Sequence, residues 1–397
     1  MAIQNRLVSL LLALGWLGCG GDDSATPRTS GSSTTSVTTT AACTADADCA
    51  STPDSPLCDV ASGACAALPP GHPIGWRDGA VTSVDLVVVL DQGQAREPTD
   101  VEFHPDRPTE MWVVNRKDDS VIIVHDPGLP TGSWERKHDP DAQHFMHRPP
   151  AFAFGAADTF GTCGDGDGGD HFMGPALFPA DLAVFAKATP NGLGSHIDML
   201  HSTSFCRGIA HQEANVYWAF NAELGSLDKY DFHQDHGPGN DDHSDGEIWR
   251  YALGLVTGVD GLSSHVSYRA EDRMLYVADT GASRVARLDT ASGTPGATFA
   301  GDEGIATRRY VDGAVLVDVV PPGTLQQPSG IELHDELVYV SDAATSRFSA
   351  FDLAGQLVRT LDTGLPPGSL SGFTFGPDGK VYFVDHLSGL VYRIDPK

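Results

Sequence analysis

"VYVSDAATSRFSAFD" (338–352) and "LYVADTGASRVARLD" (275–289) are two copies of one pattern, and that pattern decides the fold. An apolar, β-rich run ends on Asp, a short turn follows, and a second, alternating run closes on another Asp. Alternation with a period of two turns one face of a strand inward, and a turn-forming break between two such runs signals a hairpin. Three further segments align with them: "MWVVNRKDDSVIIVHD" (111–126), "VYWAFNAELGSLDKYD" (216–231) and "VYFVDHLSGLVYRID" (381–395).

Each hairpin follows another short strand, respectively "PTDVEF", "CRGIA", "SHVSY", "PSGIEL" and "SGFTF" when taken in chain order. A fourth strand follows most units, as in "QLVRTLD" (356–362). A sixth, distorted unit is expected from "PPAFAFGAADTFGTC" and, after an insertion, "DLAVFA" (181–186). Four-stranded units repeated in this way read as blades of an all-β propeller. The unit "PSGIEL…VYVSDAATSRFSAFDLAGQLVRTL" resembles the NHL-repeat family over residues 84–397, which implies a six-bladed β-propeller with structural Asp and Arg residues in its hairpins. The last unit stops at "YRIDPK", one strand short, while an orphan strand, "DLVVVLDQG" (85–93), precedes the first. Pairing of 85–91 with 390–395 is therefore expected to close the ring and leave no open sheet edge.

The N-terminus sets the expected compartment. Arg6 precedes the apolar run Leu7–Leu17, which is too short to span a bilayer as a mature helix. It ends in "WLGCGG", which resembles the lipobox of bacterial lipoproteins. The resemblance implies that residues 1–18 are removed as a signal peptide and that Cys19 carries the lipid. Gly20 rather than Asp implies an outer-membrane place in the cell envelope. Residues 19–42 form the anchor and a tether so rich in Ser, Thr, Gly and Ala that it cannot bury a core.

With Cys19 set aside, six of the seven cysteines remain, an even number in an oxidising compartment. Cys43, Cys49, Cys58 and Cys65 crowd into residues 43–66, a segment with too few apolar residues to fold without staples. It looks like the four-cysteine modules that follow the tether in bacterial surface lipoproteins. Disulfides are expected there, with the pairing open; the spacings lack the paired CxxC of a zinc site. The chain carries 25 basic and 53 acidic residues, a net charge of −28, which excludes a nucleic-acid partner and docking to anionic head groups. Membrane contact is expected through the lipid alone.

In such a propeller the first strand of each blade, a, lines the channel. The d–a and b–c loops share one face, here the top, and the a–b and c–d loops share the other. Long insertions at 134–149, 163–180, 187–205 and 299–328 are expected mostly at the top, where loops on a rigid scaffold carry function. Cys163 ends a second strand and Cys206 begins the next blade's first strand, so a disulfide between them is expected. Asp100, His147, Arg207, His265, Ser329 and Ser371 should ring the mouth of the channel. His147 in "HRPPAF" and His265 in "SSHVSYRAEDRMLYVADTGASRV" make this region similar to the peptide-amidating lyase branch of the NHL propellers, where histidines at three such positions hold a catalytic zinc. The resemblance implies a catalytic set of His147, His265 and a third group. Arg207 stands at the third position, and His196 or His201 of "SHIDMLH" could substitute. Hydrogen-bonded channel histidines are the alternative.

Two loops are rich in metal-ligand types. "CGDGDGGDHFMGP" (163–175) offers Asp165, Asp167 and Asp170 as oxygen ligands suited to calcium, without the distal Glu of an EF-hand. "YDFHQDHGPGNDDHSDG" (230–246) packs three histidines and five aspartates between strands c and d of blade three. A divalent cation, zinc or calcium, is expected there on some of His233, His236, Asp241, Asp242, His243 and Asp245, with His211 nearby. The alternative is an acidic loop whose aspartates cap its own turns. No GxSxG elbow, P-loop or dinucleotide fingerprint is present. Two functions follow: an anchored propeller that binds a small molecule, peptide or protein on its loop-rich face, with metal in its loops, or a metal-dependent lyase or hydrolase acting in the channel. Convergence of His147, His265 and a third ligand within about 4 Å of one point would favour the second.

Overall fold

A computed structural model describes residues 43–44, 46–49, 57–59, 62–66, 72–75, 79–91, 93–166, 173–301 and 303–397. The signal segment 1–18, Cys19, the tether to residue 42, Asp167 and Asp170 lie outside the described residues. The first strands lie where the sequence places them: Pro98–Phe103, Phe152–Phe154, Cys206–Glu213, Val266–Arg269, Pro328–His334 and Leu370–Phe375 open six blades. In every blade the strands pair in the order a-b-c-d.

Strand b explains the stacking. Val216–Asn221 is buried at every position, and Leu337–Asp342 at all but its first. A middle strand between two neighbouring blades has no solvent face, so its polar positions become apolar as well. Between blades one and two the filling is aromatic: Trp112, Phe152, Phe160, Phe178 and Phe185 form one cluster. Burying each such ring contributes about 1.5–3 kcal/mol.

The ring closes through blade six. Val84–Leu90 pairs antiparallel with Leu390–Pro396, with Asp85 opposite Asp395 and Leu90 opposite Val391. Disulfides join Cys43 to Cys58, Cys49 to Cys65 and Cys163 to Cys206.

Two segments depart from the sequence reading. Residues 181–185 form a turn, not a strand; strands c and d of blade two are Ala176–Pro179 and Asp198–Met199. The apolar residues of "DLAVFA" mislead because Phe185 plugs the aromatic cluster from a turn instead of alternating along a strand. The 299–328 insertion is not a top loop. Thr294–Thr298 and Thr307–Asp312 form a hairpin within the c–d connection of blade four. That hairpin extends blade three, whose strand d, Glu247–Tyr251, pairs parallel with Thr307–Asp312. Residues 180–197 are likewise a c–d connection, that of blade two, and they return along its outer edge to Asp198.

Candidate metal centre

The Gly-Pro-Gly of the 230–246 loop turns the chain back against blade two. Gly237 and Gly239 have φ of 75° and 68°, in the left-handed region that favours glycine. A Cβ on Gly239 would lie 2.1 Å from Thr189 Oγ1, so the contact itself requires glycine. The turn is docked by two backbone bonds, His236 N–H to Ile197 O (3.0 Å) and Gly239 N–H to His196 O (2.8 Å). His196 is fixed in turn: Phe145 stacks on its ring at 3.6 Å, and Ser195 donates to Asp139.

This docking brings histidines from two blades together. One ligand atom each from His196, His236 and His243 lie within 4.8 Å of one another, and so do atoms of His201, His243 and Glu303. The Nδ1 of His196 lies 2.7 Å from Leu193 O, and that of His236 lies 2.8 Å from Gly237 O. The Nδ1 of His243 lies 3.2 Å from Glu303 Oε2. Glu303 arrives on the blade-four insertion and also accepts from His201 N (2.7 Å) and Nδ1 (2.6 Å). Nε2 of His236 and of His243, and Oδ2 of Asp198, are buried without a protein partner.

Burial sets the charge states here. It pushes His196 down to about 3 and also lowers His236, so both imidazoles are neutral and keep a lone pair. It pushes the Asp198 carboxyl up to about 8, against the pull of nearby His243. Burial also opposes the Glu303 carboxylate, but hydrogen bonds from His201 and His243 overcome it and hold that group at about 2.

The other expected loop ligands stand apart from this group. His211 Nε2 faces Ala214 O, and His233 is 43% exposed in its side chain beside Asp231. Asp241 and Asp242 are exposed; Asp242 accepts from Ser244 N and Asp245 from Gln234 N, the turn-capping role. Asp165 is held by Arg116 and Arg207, so its carboxylate is already neutralised by cations.

At the channel mouth the three lyase candidates do not assemble. His147 Nδ1 lies 3.5 Å from Asp119, and Arg207 bonds Asp165 and Asp260. His265 Nε2 faces Pro150 O at 3.2 Å, and its Nδ1 lies 3.6 Å from Asp100. Among the described residues, the groups of three potential ligands within 4.8 Å include neither His147 nor His265. The remaining such group is Cys43, Cys49 and Cys65, whose sulfurs are in disulfides. The mouth itself is sealed by hydroxyls: Ser371 donates to Thr99 O (2.8 Å) and Ser263 to Pro150 O (2.8 Å). Below it, burial raises the carboxyls of Asp100, Glu102 and Glu332, and their mutual repulsion adds to this for Asp100 and Glu332.

Asp198 and Glu303 escaped the sequence reading. Asp198 carried a signal, since "SHIDMLH" interleaves it with two histidines. Glu303 carried none, because only the strand added to blade three brings it near.

No family model matches the chain, and no curated protein matches its sequence. Among solved structures, a luciferin-regenerating enzyme superposes with 10% identity and a TM-score of 0.50, over 79% of this chain and 95% of that one. A calcium-binding protein, regucalcin, from Agrobacterium tumefaciens does so with 14% identity and a TM-score of 0.50, over 78% and 95%. Virginiamycin B lyase from Staphylococcus aureus is similar at 10% identity and a TM-score of 0.47, over 79% and 100%. At such identities the likeness to the first two bears on the fold alone, and the fold it supports is the propeller.

Proposed function

We propose that this chain is an exported propeller lipoprotein of NHL type, anchored through Cys19 in the cell envelope, that binds a ligand or partner and holds a divalent cation in its inserted loops. The observation that carries the metal part is the convergence of His196, His236 and His243 within 4.8 Å. Such convergence of largely buried imidazoles costs solvation that a bound cation compensates. Export is supported by the signal-like start and by the disulfides. The alternative, a lyase or hydrolase in the channel, has less support, because among the described residues neither His147 nor His265 falls in a group of three potential ligands within 4.8 Å.

A cation that binds only the folded protein stabilises it, by about 2.7 kcal/mol at a hundredfold excess over its dissociation constant. Thermal melts of the purified protein should therefore shift down on adding chelator and recover with added metal. In the double variant His236→Ala, His243→Ala the shift should vanish. Equal melts with and without chelator in the parent protein would remove the metal from this reading.

A further inference from the structure

The cluster allows a more definite assignment, which rests on the metal-binding reading above. We infer that His196, His236 and His243 form one three-histidine site for a zinc-type cation, clamping the inserted segments of blades two and three together.

The tautomers come first. Each of the three histidines turns Nδ1 toward an oxygen acceptor: Leu193 O, Gly237 O or Glu303 Oε2. A ring nitrogen facing such an acceptor carries the proton, which leaves Nε2 of each ring as the ligand atom. This is how metal-bound histidines are oriented from behind, and Glu303 supplies the carboxylate of a carboxylate–histidine–metal relay.

The vacant lone pairs come next. His236 Nε2, His243 Nε2 and Asp198 Oδ2 are buried and meet no protein partner. Leaving a buried polar group unpaired costs about 1–3 kcal/mol. The two nitrogens, on a loop that packs against the His196 segment through His236 N–H and Ile197 O, are accounted for by one cation. Ligand atoms around zinc, with bonds of about 2.0–2.1 Å, sit roughly 3.4 Å apart in a tetrahedron. The three histidines, within 4.8 Å of one another, need close by little to reach that geometry.

The donor set selects the metal class. Three imidazole nitrogens suit zinc or a similar transition ion, whereas calcium takes 6–8 oxygens. Burial then selects the role: His196 is 1% exposed and the Nε2 atoms of the other two are covered, so the ion ties the two inserted segments together as a structural clamp.

The test uses the full chain, stripped of metal and titrated with zinc and with cobalt(II). One equivalent of either should bind, and cobalt should show the intense visible bands of four-coordination. His236→Ala and His243→Ala should each abolish the band, while His211→Ala and His233→Ala leave it intact. Glu303→Gln should weaken zinc binding ten- to a hundredfold without changing the stoichiometry. Weak six-coordinate cobalt bands, binding of calcium but not zinc, or an unchanged band in His236→Ala would overturn the assignment. If an alanine variant fails to fold, the spectrum of the parent protein still decides the coordination. Absence of any bound metal sinks the broader reading as well; metal that survives the cluster variants sinks only this one.

Discussion

Asn or Asp ends strand b in five blades. Asn115, Asn221, Asp279, Asp342 and Asp385 end strand b and are at most 3% exposed. In three of them the side-chain oxygen accepts a backbone N–H from the connection arriving from the previous blade: Arg96 to Asn115 (2.8 Å), Thr257 to Asp279 (2.7 Å) and Gln326 to Asp342 (2.6 Å). The repeated Asx is thus a tie between blades, which is why it was visible as a sequence repeat. The channel acids had no such pattern, and their chemistry comes from enclosure. Burial holds Glu102 at about 8, so between about pH 4.5 and 8 the folded chain keeps a proton that the unfolded chain has lost. Stability from this group must fall as pH rises through that window. Glu102→Gln, which removes the ionisation, should gain stability over the parent progressively from pH 5 to pH 8 in urea melts. A difference independent of pH would show that Glu102 ionises normally.

At the level of elements, hairpins were legible and insertions were not. A hairpin is decided by some fifteen adjacent residues, whereas the partner of an insertion is chosen by whatever surface it meets. The Thr307–Asp312 strand pairs with blade three although its own hairpin belongs to blade four. Phe299 on the same insertion takes Arg250 of blade three over its ring at 4.4 Å. Dense ligands at 233–245 were legible for the same local reason; their partnership with residues 196 and 303 was not, since only the folded contacts unite them. The Cys163–Cys206 bond could be foreseen, because strand ends of neighbouring blades are set by the repeat. It closes a separation of 43 residues, for which loop-closure entropy gives about 4 kcal/mol. Cys163→Ser with Cys206→Ser should lower stability by roughly that amount or less, measured by denaturant unfolding under oxidising conditions. No change would mean that the ring holds the ends of this loop without the bond.

For the whole molecule the decisive contact is between its two ends. Val84–Leu90 completes blade six, burying Val84 and Leu90 to 3% and 2% exposure, and Lys397 N–H returns to Ser83 O at 3.0 Å. Just upstream, Ile74 is fully buried in the cluster that also holds Val84 and Tyr339, and Arg359 bonds Gly75 O. Among the described residues, the module of residues 43–66 shares no cluster with the ring; its cysteines pack on one another. Two truncations separate these roles. Removing residues 1–71 takes away the proposed anchor and tether and the module but keeps Ile74 and the closing strand, so the ring should remain soluble with a melting temperature close to that of the parent. Removing residues 1–91 leaves blade six with three strands and the edge of Leu390–Pro396 unpaired. An unpaired edge invites pairing with another chain, so this product should aggregate or melt well below the longer truncation. Light scattering and thermal melts of the two products distinguish the cases. A soluble, monomeric product melting with the parent would show that the ring holds without its closing strand.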